Sequence, residues 1–592
     1  MGGFSLNPEH RTLSIDMNED PILALKERIK AARGEMPADL LLKGGRVINV
    51  FSGTLEEQDV AVHGGFVVGV GSGYHGREEV ELPKGCSISP GLMDGHIHIE
   101  SSMLLPSRLA AALLVHGTTA IVSDPHEIAN VMGVEGIRLM LRDSESIPFD
   151  VFFMAPSCVP ATHLETSGAS LNVAALEELR KEPRILGLAE MMNFPAVLAG
   201  DDEVLRKLSV FAHAPLDGHA PSLRGKDLQA YVCAGIRSDH ESIDRDEASE
   251  KMQSGMMIMI REGSTARNLE ELIPLVLPGN SRRFCLVSDD LHPADLSGRG
   301  HLDHLLKKAV ACGVNPVIAV QMASLNPAEY FGFRDRGAAA PGYRADLVVF
   351  KNLDDFAVHR VYKDGRLVVE DGTLVGFPLA EQASSAHRPL LIPRLKPDRF
   401  RIRKEGSAAR VMEVVPGQIV TRSSREKVAC RGDWVVADPR ADILKIAVVE
   451  RHKGSGRIGL GLVRGFGLKK GALASSVAHD SHNVIAVGVS DEDLCRAVEE
   501  VRDMGGGMVA VAEGGTLAKI PLEVGGLMSR LSLGELTAEL EELARASAAM
   551  GCSLDEPFMS LSFLALPVIP ELKLTDRGLV DVNRFEVVPL FS

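Results

Sequence analysis

Runs of apolar, β-type residues alternate with helix-type segments over about 240 residues of the chain, beginning at Pro90. The runs include TTAIVSD (118–124), FDVFFMAPS (149–157), RILGLAEMM (184–192) and FCLVSDD (284–290). They are separated by segments with helical periodicity, such as VAALEELRKE and HLDHLLKKAVACG. This alternation predicts parallel strands joined by helical crossovers, in either an open α/β sheet or an eight-stranded barrel.

Two β-rich segments flank the alternating region. Gly-Gly and Ser-Gly turns punctuate ADLLLKGGRVINVFSGTLEEQDVAVHGGFVVGVG before it, and ADLVVFKNLDDFAVHRVYKDGRLVVEDG follows it at 345–372. Both patterns predict short antiparallel strands. Because ADLVVF echoes ADLLLKGG, we expect the two segments to complete one small sheet. A short helix, PILALKERIKAAR, is expected before them.

The composition excludes several classes of protein. A formal net charge of -16 argues against a nucleic-acid partner, because proteins of that class display a basic face. Eight cysteines are scattered without a Cys-x-x-Cys pair, which favours reduced thiols in a cytoplasmic protein. The stretch MGGFSLNPEHRTLSIDMNEDP has no apolar core, and no run of about 18 apolar residues is present. Neither a signal peptide nor a membrane partner is therefore expected.

The stretch DGHIHIE places His96 and His98 one residue apart in an extended segment. Residues i and i+2 of a strand share a face, so both imidazoles can point to one metal ion. Taken alone, the pair can also be two solvent-facing loop histidines. Because barrel enzymes carry reactive groups at the C-terminal ends of several strands, we expect further ligands after later strands.

Four residues fit this expectation, each a nitrogen or oxygen ligand near the end of a predicted strand: Glu190, His219, His240 and Asp289. With the two histidines they form a set without sulfur, which suits one or two divalent ions such as Zn, Mn or Fe. His219 can alternatively be a turn residue, and Asp289 a helix N-cap. The coincidence of six such residues favours the metal site.

Further residues are candidates for contact with a substrate. Asp124, His126 and Glu127 lie just after the second predicted strand, where the mouth of a barrel would be, although Asp124 can also cap the following helix. The other candidates, for the substrate or for the layer behind the ligands, surround Asp289: Ser288, Asp290 and His292.

The region after residue 405 carries SSVAHDSHNVIAVG (475–488), in which His479, Asp480 and His482 suggest another metal site. Its loops could alternatively cover the mouth of a barrel. The triple glycine at 505–507 lacks the spacing and the basic residue of a phosphate-binding loop. The residues alone leave the role of this region open.

The strings PGLMDGHIHIESSM, SDPHEIANVMG, LDGHAPSLRGKDLQAYVCAGIRSDHE and SSVAHDSHNVIAVG resemble the bacterial adenine deaminases of the amidohydrolase superfamily. The resemblance runs from about residue 38 to the end. It implies a barrel enzyme of purine salvage that converts adenine and water to hypoxanthine and ammonia, with metal-bound hydroxide attacking C6. It also implies two divalent ions per chain, Mn, Fe or Zn. The string DGHAP favours His219 over His213 as a ligand.

The resemblance assigns roles to the ligands. One ion would be held by His96, His98 and Asp289, and the other by His219 and His240. Glu190 stands where many amidohydrolases have a carbamylated lysine. The adenine deaminases have a glutamate at this place, and Glu190 would bridge the two ions. Asp289 would accept a proton from the attacking water and pass it to the leaving amine.

The expected architecture is α/β: a TIM-like (β/α)8 barrel, a small β-sandwich formed by the segments flanking it, and a C-terminal α/β (α+β) domain. Six parts are expected along the chain: an N-terminal extension (1–36), the first part of the small β domain (37–89), the metal-binding barrel (90–340), the second part of the β domain (341–377), a linker (378–404) and the C-terminal domain (405–592). A homodimer or larger homo-oligomer is expected, since closed symmetric assemblies are the commonest.

Two alternatives remain. The barrel could hydrolyse a cyclic amide, as dihydroorotase- or hydantoinase-like relatives do. Those proteins usually carry the bridging lysine and an arginine near the His-x-His, where this chain has Glu100-Ser101-Ser102. A barrel of this type could also be a scaffold that has lost its ligands, but all six ligand positions are filled here.

Overall fold

The computed structural model describes residues 20–377, 390–416 and 418–591. The predicted first helix is α1 (Pro21–Ala32), and the Asp20 side chain caps it by accepting from the Ile22 N–H at 2.9 Å. The start of the expected N-terminal extension, 1–19, lies outside the described residues. Seven short strands follow: β1 (Ala38–Lys43), β2 (Arg46–Asn49), β3 (Thr54–Glu57), β4 (Val60–His63), β5 (Phe66–Val70), β6 (Gly76–Glu81) and β7 (Ser87–Pro90).

Eight parallel strands come next: β8 (Leu92–Ile97), β9 (Thr118–Ser123), β10 (Asp150–Ala155), β11 (Ile185–Met191), β12 (Leu216–Gly218), β13 (Ser238–Asp239), β14 (Met257–Arg261) and β15 (Phe284–Val287). They pair in chain order as one five-stranded and one three-stranded sheet. The sheets meet at both edges, where the Arg237 N–H donates to the Leu216 carbonyl and the Asp289 N–H to the His96 carbonyl, each at 3.0 Å. The expected barrel is confirmed.

Helices follow or separate the barrel strands: α2 (Pro106–Leu114), α3 (His126–Met132), α4 (Val134–Asp143), α5 (Val173–Leu179), α6 (Phe194–Ala199), α7 (Asp202–Val210), α8 (Gly225–Cys233), α9 (Arg245–Gln253), α10 (Leu269–Leu272), α11 (Pro293–Arg299), α12 (Leu302–Ala311), α13 (Pro316–Met322) and α14 (Leu325–Tyr330). Every residue of β8, β9, β11, β14 and β15 is buried. Burial on both faces explains why these strands read as continuous apolar runs.

The second flanking segment forms β16 (Leu347–Phe350), β17 (Val358–Lys363), β18 (Arg366–Glu370) and β19 (Thr373–Leu374). Strand β16 pairs with β7, so both flanks join in one seven-stranded sheet, β19-β18-β17-β16-β7-β2-β3. Strands β5, β4, β1 and β6 form a separate sheet. Leu42 and Val62 of that sheet share an apolar cluster with Ile88 and Leu347 of the larger one.

The remaining strands and helices form the C-terminal region: β20 (Ile402–Arg403), β21 (Ala409–Val414), β22 (Thr421–Glu426), β23 (Cys430–Arg431), β24 (Trp434–Val435), β25 (Leu444–Val449), β26 (Ile458–Arg464), β27 (Ala472–Ser475), β28 (Val484–Gly488), α15 (Asp491–Asp503), β29 (Gly507–Ala512), β30 (Gly515–Pro521), α16 (Leu533–Ala549), α17 (Pro557–Phe563), β31 (Leu572–Thr575), β32 (Gly578–Asp581) and β33 (Glu586–Val588). Eight of them form one sheet, β22-β21-β26-β25-β28-β27-β29-β30. The expected C-terminal domain beyond the barrel is confirmed.

The C-terminal sheet is covered by α15 and by the chain before β20. Leu390, Ile392 and Phe400 share an apolar cluster with α15 and this sheet. The described part of the stretch expected to be a linker is thus packed onto the C-terminal region, and 378–389 lie outside the described residues. The C-terminal region also contacts the barrel, because the Ser529 N–H donates to the Met103 carbonyl at 2.7 Å. No helix in the described ranges is both long and apolar enough to cross a bilayer.

A buried lysine joins the loop that follows β12 to the end of β13. The Lys251 ammonium on α9 donates to the Ala220 carbonyl at 2.7 Å, to Asp239 at 2.8 Å and to Glu247 at 2.7 Å. All three charged side chains are fully or almost fully buried. Because Ala220 follows His219 and Asp239 precedes His240, this cation fixes the backbone beside two of the predicted ligands.

Replacing Lys251 by Met should destabilise the protein by about 3–5 kcal/mol, because Asp239 and Glu247 would remain buried without their cation. Urea unfolding followed by circular dichroism measures the change. Lys226→Met, on the exposed first turn of α8, is the matched control and should change stability by about 0.5 kcal/mol or less. Equal stabilities for the two variants would contradict this role of Lys251.

Candidate metal centre

The six predicted ligands meet at the C-terminal end of the barrel. His96 lies in β8 and Glu190 in β11; the other four follow the ends of strands β8, β12, β13 and β15: His98, His219, His240 and Asp289. All are buried except His219, whose side chain is 24% exposed. His213, the competitor of His219, is exposed and precedes β12. Gly218 permits this arrangement, because a Cβ there would lie 2.3 Å from the Ser238 carbonyl oxygen of β13.

Asp289 faces the two histidines of the His-x-His motif. Its Oδ1 lies 3.1 Å from His98 Nε2 and 3.5 Å from His96 Nε2. The other ring nitrogen of His98, Nδ1, lies 3.1 Å from the Asp124 carbonyl oxygen. If Nδ1 donates to that carbonyl, Nε2 keeps its lone pair directed at the centre, which is how an outer hydrogen bond orients a metal-binding histidine. Asp289 has a φ of 59°, a left-handed conformation that aspartate tolerates better than most residues.

Glu190 connects this group to the other two histidines. Its Oε2 lies 2.6 Å from His219 Nδ1 and 3.1 Å from His240 Nε2. Its Oε1 lies 3.7 Å from His98 Nε2. The ring of His96 stacks on that of His240, with 4.1 Å between centroids. The two oxygens of Glu190 therefore face two different groups of ligands.

Two charged residues that the sequence reasoning missed lie beside these ligands. Glu241 Oε1 is 3.5 Å from His240 Nε2, and Arg261 Nη1 donates to Asp289 Oδ2 at 2.9 Å. Arg261 Nη2 also donates to Glu241 Oε2 at 2.9 Å. The search for polar residues at strand ends could have found both, since Glu241 adjoins His240 and Arg261 ends β14.

The stretch SDPHE divides between two places. Asp124 Oδ2 lies 3.3 Å from His126 Nδ1, which lies 3.5 Å from Glu190 Oε1, so both residues adjoin the centre. Asp124 makes no capping hydrogen bond to α3, whose N-cap is Pro125. Glu127 is directed elsewhere, towards His479 and His482 of the C-terminal region.

Ser288 lies behind the ligands. Its hydroxyl donates to Asp94 at 2.6 Å, and the His96 N–H donates to the same carboxylate at 3.1 Å. His301 Nε2 lies 3.0 Å from Asp94. Ser288, predicted either to contact substrate or to lie behind the ligands, is completely buried and donates to the Asp94 carboxylate. Asp94 in turn fixes the backbone of His96.

The donor set of this centre fits divalent metal ions. His96 Nε2, His126 Nδ1 and both carboxylate oxygens of Asp124 are buried without a hydrogen-bond partner among the described residues. Each such atom costs about 1–3 kcal/mol unless something binds it. Imidazole nitrogens and carboxylate oxygens are the ligands of zinc, manganese and iron, and they converge within 4.8 Å of one another in several overlapping sets.

Electrostatics keep the two central carboxylates ionised. Burial alone would raise the pKa of Asp289, but the neighbouring His96 and His98 side chains and the charge of Arg261 hold it well below its usual range. Burial acts in the same direction on Glu190, and the neighbouring His219 and His240 more than reverse it, so this pKa is also well below the usual range. Both side chains can therefore act as anionic ligands at neutral pH.

A cleft opens beside the centre, between the mouth of the barrel and the C-terminal region. The Ser101 hydroxyl donates to Asp290 on the barrel side of this cleft. The polar residues of the barrel that line it are Glu100, Ser101, Glu127, Asp290 and His292. The C-terminal region contributes histidines and large apolar side chains: His479, His482, Met508, Phe558 and Phe563. The cleft thus has a polar wall from the barrel and a largely apolar and aromatic wall from the C-terminal region.

Comparison with known proteins places these features in a family. An adenine deaminase C-terminal domain model matches residues 418–586, and an amidohydrolase family model matches residues 87–368. The adenine deaminase of Desulfatibacillum aliphaticivorans is 51% identical over 566 residues, which are 95% of this chain and 99% of the relative. This chain belongs to the adenine deaminase family.

Other adenine deaminases match over similar lengths. That of Methanothrix thermoacetophila is 48% identical over 572 residues, covering 96% of this chain and 100% of its own. A crystal structure of an adenine deaminase aligns with 56% of this chain and 99% of its own, with a TM-score of 0.42 and 17% identity. The sequence matches to these relatives and to the two family models confirm the family that the motifs predicted.

Adding Mn²⁺ or Zn²⁺ to chelator-treated protein should raise its unfolding temperature. An ion that binds only the folded state adds about 2.7 kcal/mol of stability at about 100 times its Kd. Differential scanning calorimetry measures the shift. The variant with both His96→Ala and His98→Ala should lose most of it, whereas His163→Ala, which removes an exposed histidine, should keep it. An undiminished shift in the double variant would place the ions elsewhere.

Proposed function

We propose that this centre catalyses the hydrolytic deamination of adenine to hypoxanthine and ammonia. The observation that carries the proposal is the convergence of six nitrogen and oxygen ligands beside a cleft, in a chain that matches adenine deaminases over nearly its whole length. Adenine and water are then the partners of the site. The reaction would serve purine salvage in the cytoplasm.

We propose two divalent ions per chain, manganese, iron or zinc. His96, His98 and Asp289 would hold one ion, and His219 with His240 the other. The two oxygens of Glu190 face these two groups, which supports a bridging role without a carbamylated lysine. When bound, such ions lower the pKa of coordinated water from 15.7 towards about 7 and so make hydroxide available at neutral pH.

Asp289 is the proposed general base and acid. Its Oδ1 faces the ligand histidines, and Arg261 donates to its Oδ2 at 2.9 Å, so the guanidinium fixes the carboxylate with Oδ1 directed at the centre. As the water oxygen attacks C6, Asp289 accepts the released proton and later donates it to the departing amine. Such acid–base assistance typically contributes about 10²–10⁴-fold to the rate.

The proposed substrate-binding residues lie in two places. Asp124 and His126 adjoin Glu190 and would act at the inner end of the site. Asp290 and Glu127 line the cleft; Asp290 would face the purine, and Glu127 would act on the purine through the histidines that contact its carboxylate. The cyclic-amide alternative needs a cation for a substrate carboxylate. Arg261 does not favour it, because Glu241 and Asp289 already engage that guanidinium.

The sheets outside the barrel are proposed to form the expected β-sandwich, split between 37–89 and 341–377. The apolar cluster shared by the two sheets supports this. We also propose a homodimer or a larger homo-oligomer, which size-exclusion chromatography with light scattering tests.

The proposed function predicts ammonia release from adenine by the metal-loaded protein. Asp289→Asn should lower kcat by about 10²–10⁴-fold, because the amide cannot accept the proton. A coupled ammonia assay measures the turnover of the wild type and of the variant. Asp227→Asn, on the exposed surface of α8, is the matched control and should retain full activity. Metal-loaded wild-type protein that hydrolyses a cyclic amide but leaves adenine intact would refute the proposal.

Elemental analysis of the same sample tests the bridge. We expect about two ions per chain in the wild type and fewer in Glu190→Ala, because the side chain that faces both ligand groups is gone. Glu203→Ala, an exposed position on α7, should keep both ions. One ion per chain with full turnover would preserve the function and exclude the bridge.

A further inference from the structure

Glu127 receives two histidines from the other side of the cleft. It lies in the first turn of α3, and His479 and His482 belong to the loop between β27 and β28 of the C-terminal region. His479 Nδ1 lies 2.6 Å from Glu127 Oε1, and His482 Nε2 contacts Glu127 Oε2. All three side chains are buried. This cluster contains the histidines for which the sequence suggested a metal site.

The hydrogen bonds of His482 decide against a metal ion in this cluster. The Ala478 N–H donates to His482 Nδ1 at 3.1 Å, so that nitrogen carries the lone pair. In the neutral ring the proton is then on Nε2, which donates to Glu127 and has no lone pair for an ion. His482 therefore serves to hold the carboxylate of Glu127 in place.

His479 is oriented differently. Its Nδ1 donates to the Glu127 carboxylate, and its ring stacks on Phe563 with 4.6 Å between centroids and 18° between planes. Both rings line the cleft. No hydrogen bond to His479 Nε2 is present among the described residues, so that nitrogen is left for a ligand. A histidine oriented by a carboxylate through Nδ1 is an arrangement that serves proton transfer at Nε2.

We propose that His479 is a catalytic residue of this reaction, which donates a proton from Nε2 to the purine ring, and that Glu127 and His482 are its positioning residues. The inference rests on the proposed adenine deamination. It gives the C-terminal region a part in the chemistry, because the barrel supplies the carboxylate and the C-terminal loop supplies the acid.

The protons balance over one turnover. When the water oxygen bonds to C6, the π-electron pair of the C6–N1 bond moves to N1 and takes the proton of His479. The bond from C6 to the exocyclic amine then breaks. The amine takes the proton held by Asp289 and leaves as ammonia. The electron pair of the C6 hydroxyl forms the carbonyl of hypoxanthine, and the proton released from it restores His479.

The surroundings of His479 favour the protonated form that this step needs. Burial by itself would lower the pKa of His479. The Glu127 carboxylate, assisted by Asp290 and Asp480, outweighs burial and raises the pKa to about 9. The ring is thus a cation at neutral pH when the cleft is empty.

The test uses the metal-loaded full-length protein with His479→Gly and His479→Gln. We expect kcat on adenine to fall by about 10²–10⁴-fold in both, with unchanged metal content. Added imidazole should restore part of kcat in His479→Gly, whose cavity admits it, and not in His479→Gln. His163→Ala, which removes an exposed histidine whose ring contacts Phe585 of the C-terminal region, should behave like the wild type.

Glu127→Gln tests the positioning role separately. Its kcat should fall while KM changes little, and imidazole should not rescue it, because the ring that it orients is still present. Turnover near the wild-type value in both His479 variants, or a loss in His479→Gly that imidazole leaves unchanged, would overturn this inference alone. A wild type that releases no ammonia from adenine would overturn the proposed function and this inference with it.

Discussion

The centre depends on the buried carboxylate of Glu190. A buried anion is costly unless cations or donors surround it, and here the barrel directs His98, His219 and His240 at its two oxygens. Imidazole nitrogens and carboxylate oxygens that converge on the same space are donors that a positive ion satisfies. Divalent ions supply that charge, and the position of Glu190 between two ligand groups accounts for the proposed pair of ions.

The same logic of charge extends outward from the ligands. Asp289 would carry a second buried negative charge, and Arg261 compensates it while also binding Glu241. Behind the strands, Lys251 has the same effect on Asp239. Asp289 and Asp239 thus each have a cation that fixes their orientation, and an oriented group is what a proton transfer requires.

The sequence could predict the ligands because their placement follows a local rule. Polar residues at the ends of parallel strands meet at one edge of the sheet, so the ends of the predicted strands identified Glu190 and Asp289 without knowledge of the contacts. The rule also admitted Ser288, whose side chain is turned towards Asp94. The same rule could not distinguish Glu241 from the other carboxylates near strand ends. The role of Glu241 depends on its contact with Arg261, which the sequence does not show.

By itself the sequence determined the strand–helix alternation, the nitrogen and oxygen character of the ligand set and the family, because all three are written in short stretches of chain. Only the tertiary structure decided which groups face one another. Glu127 and His479 are 352 residues apart, and no periodicity relates them. Their contact exists because the C-terminal region packs against the mouth of the barrel, and such long-range packing is not encoded in any local pattern.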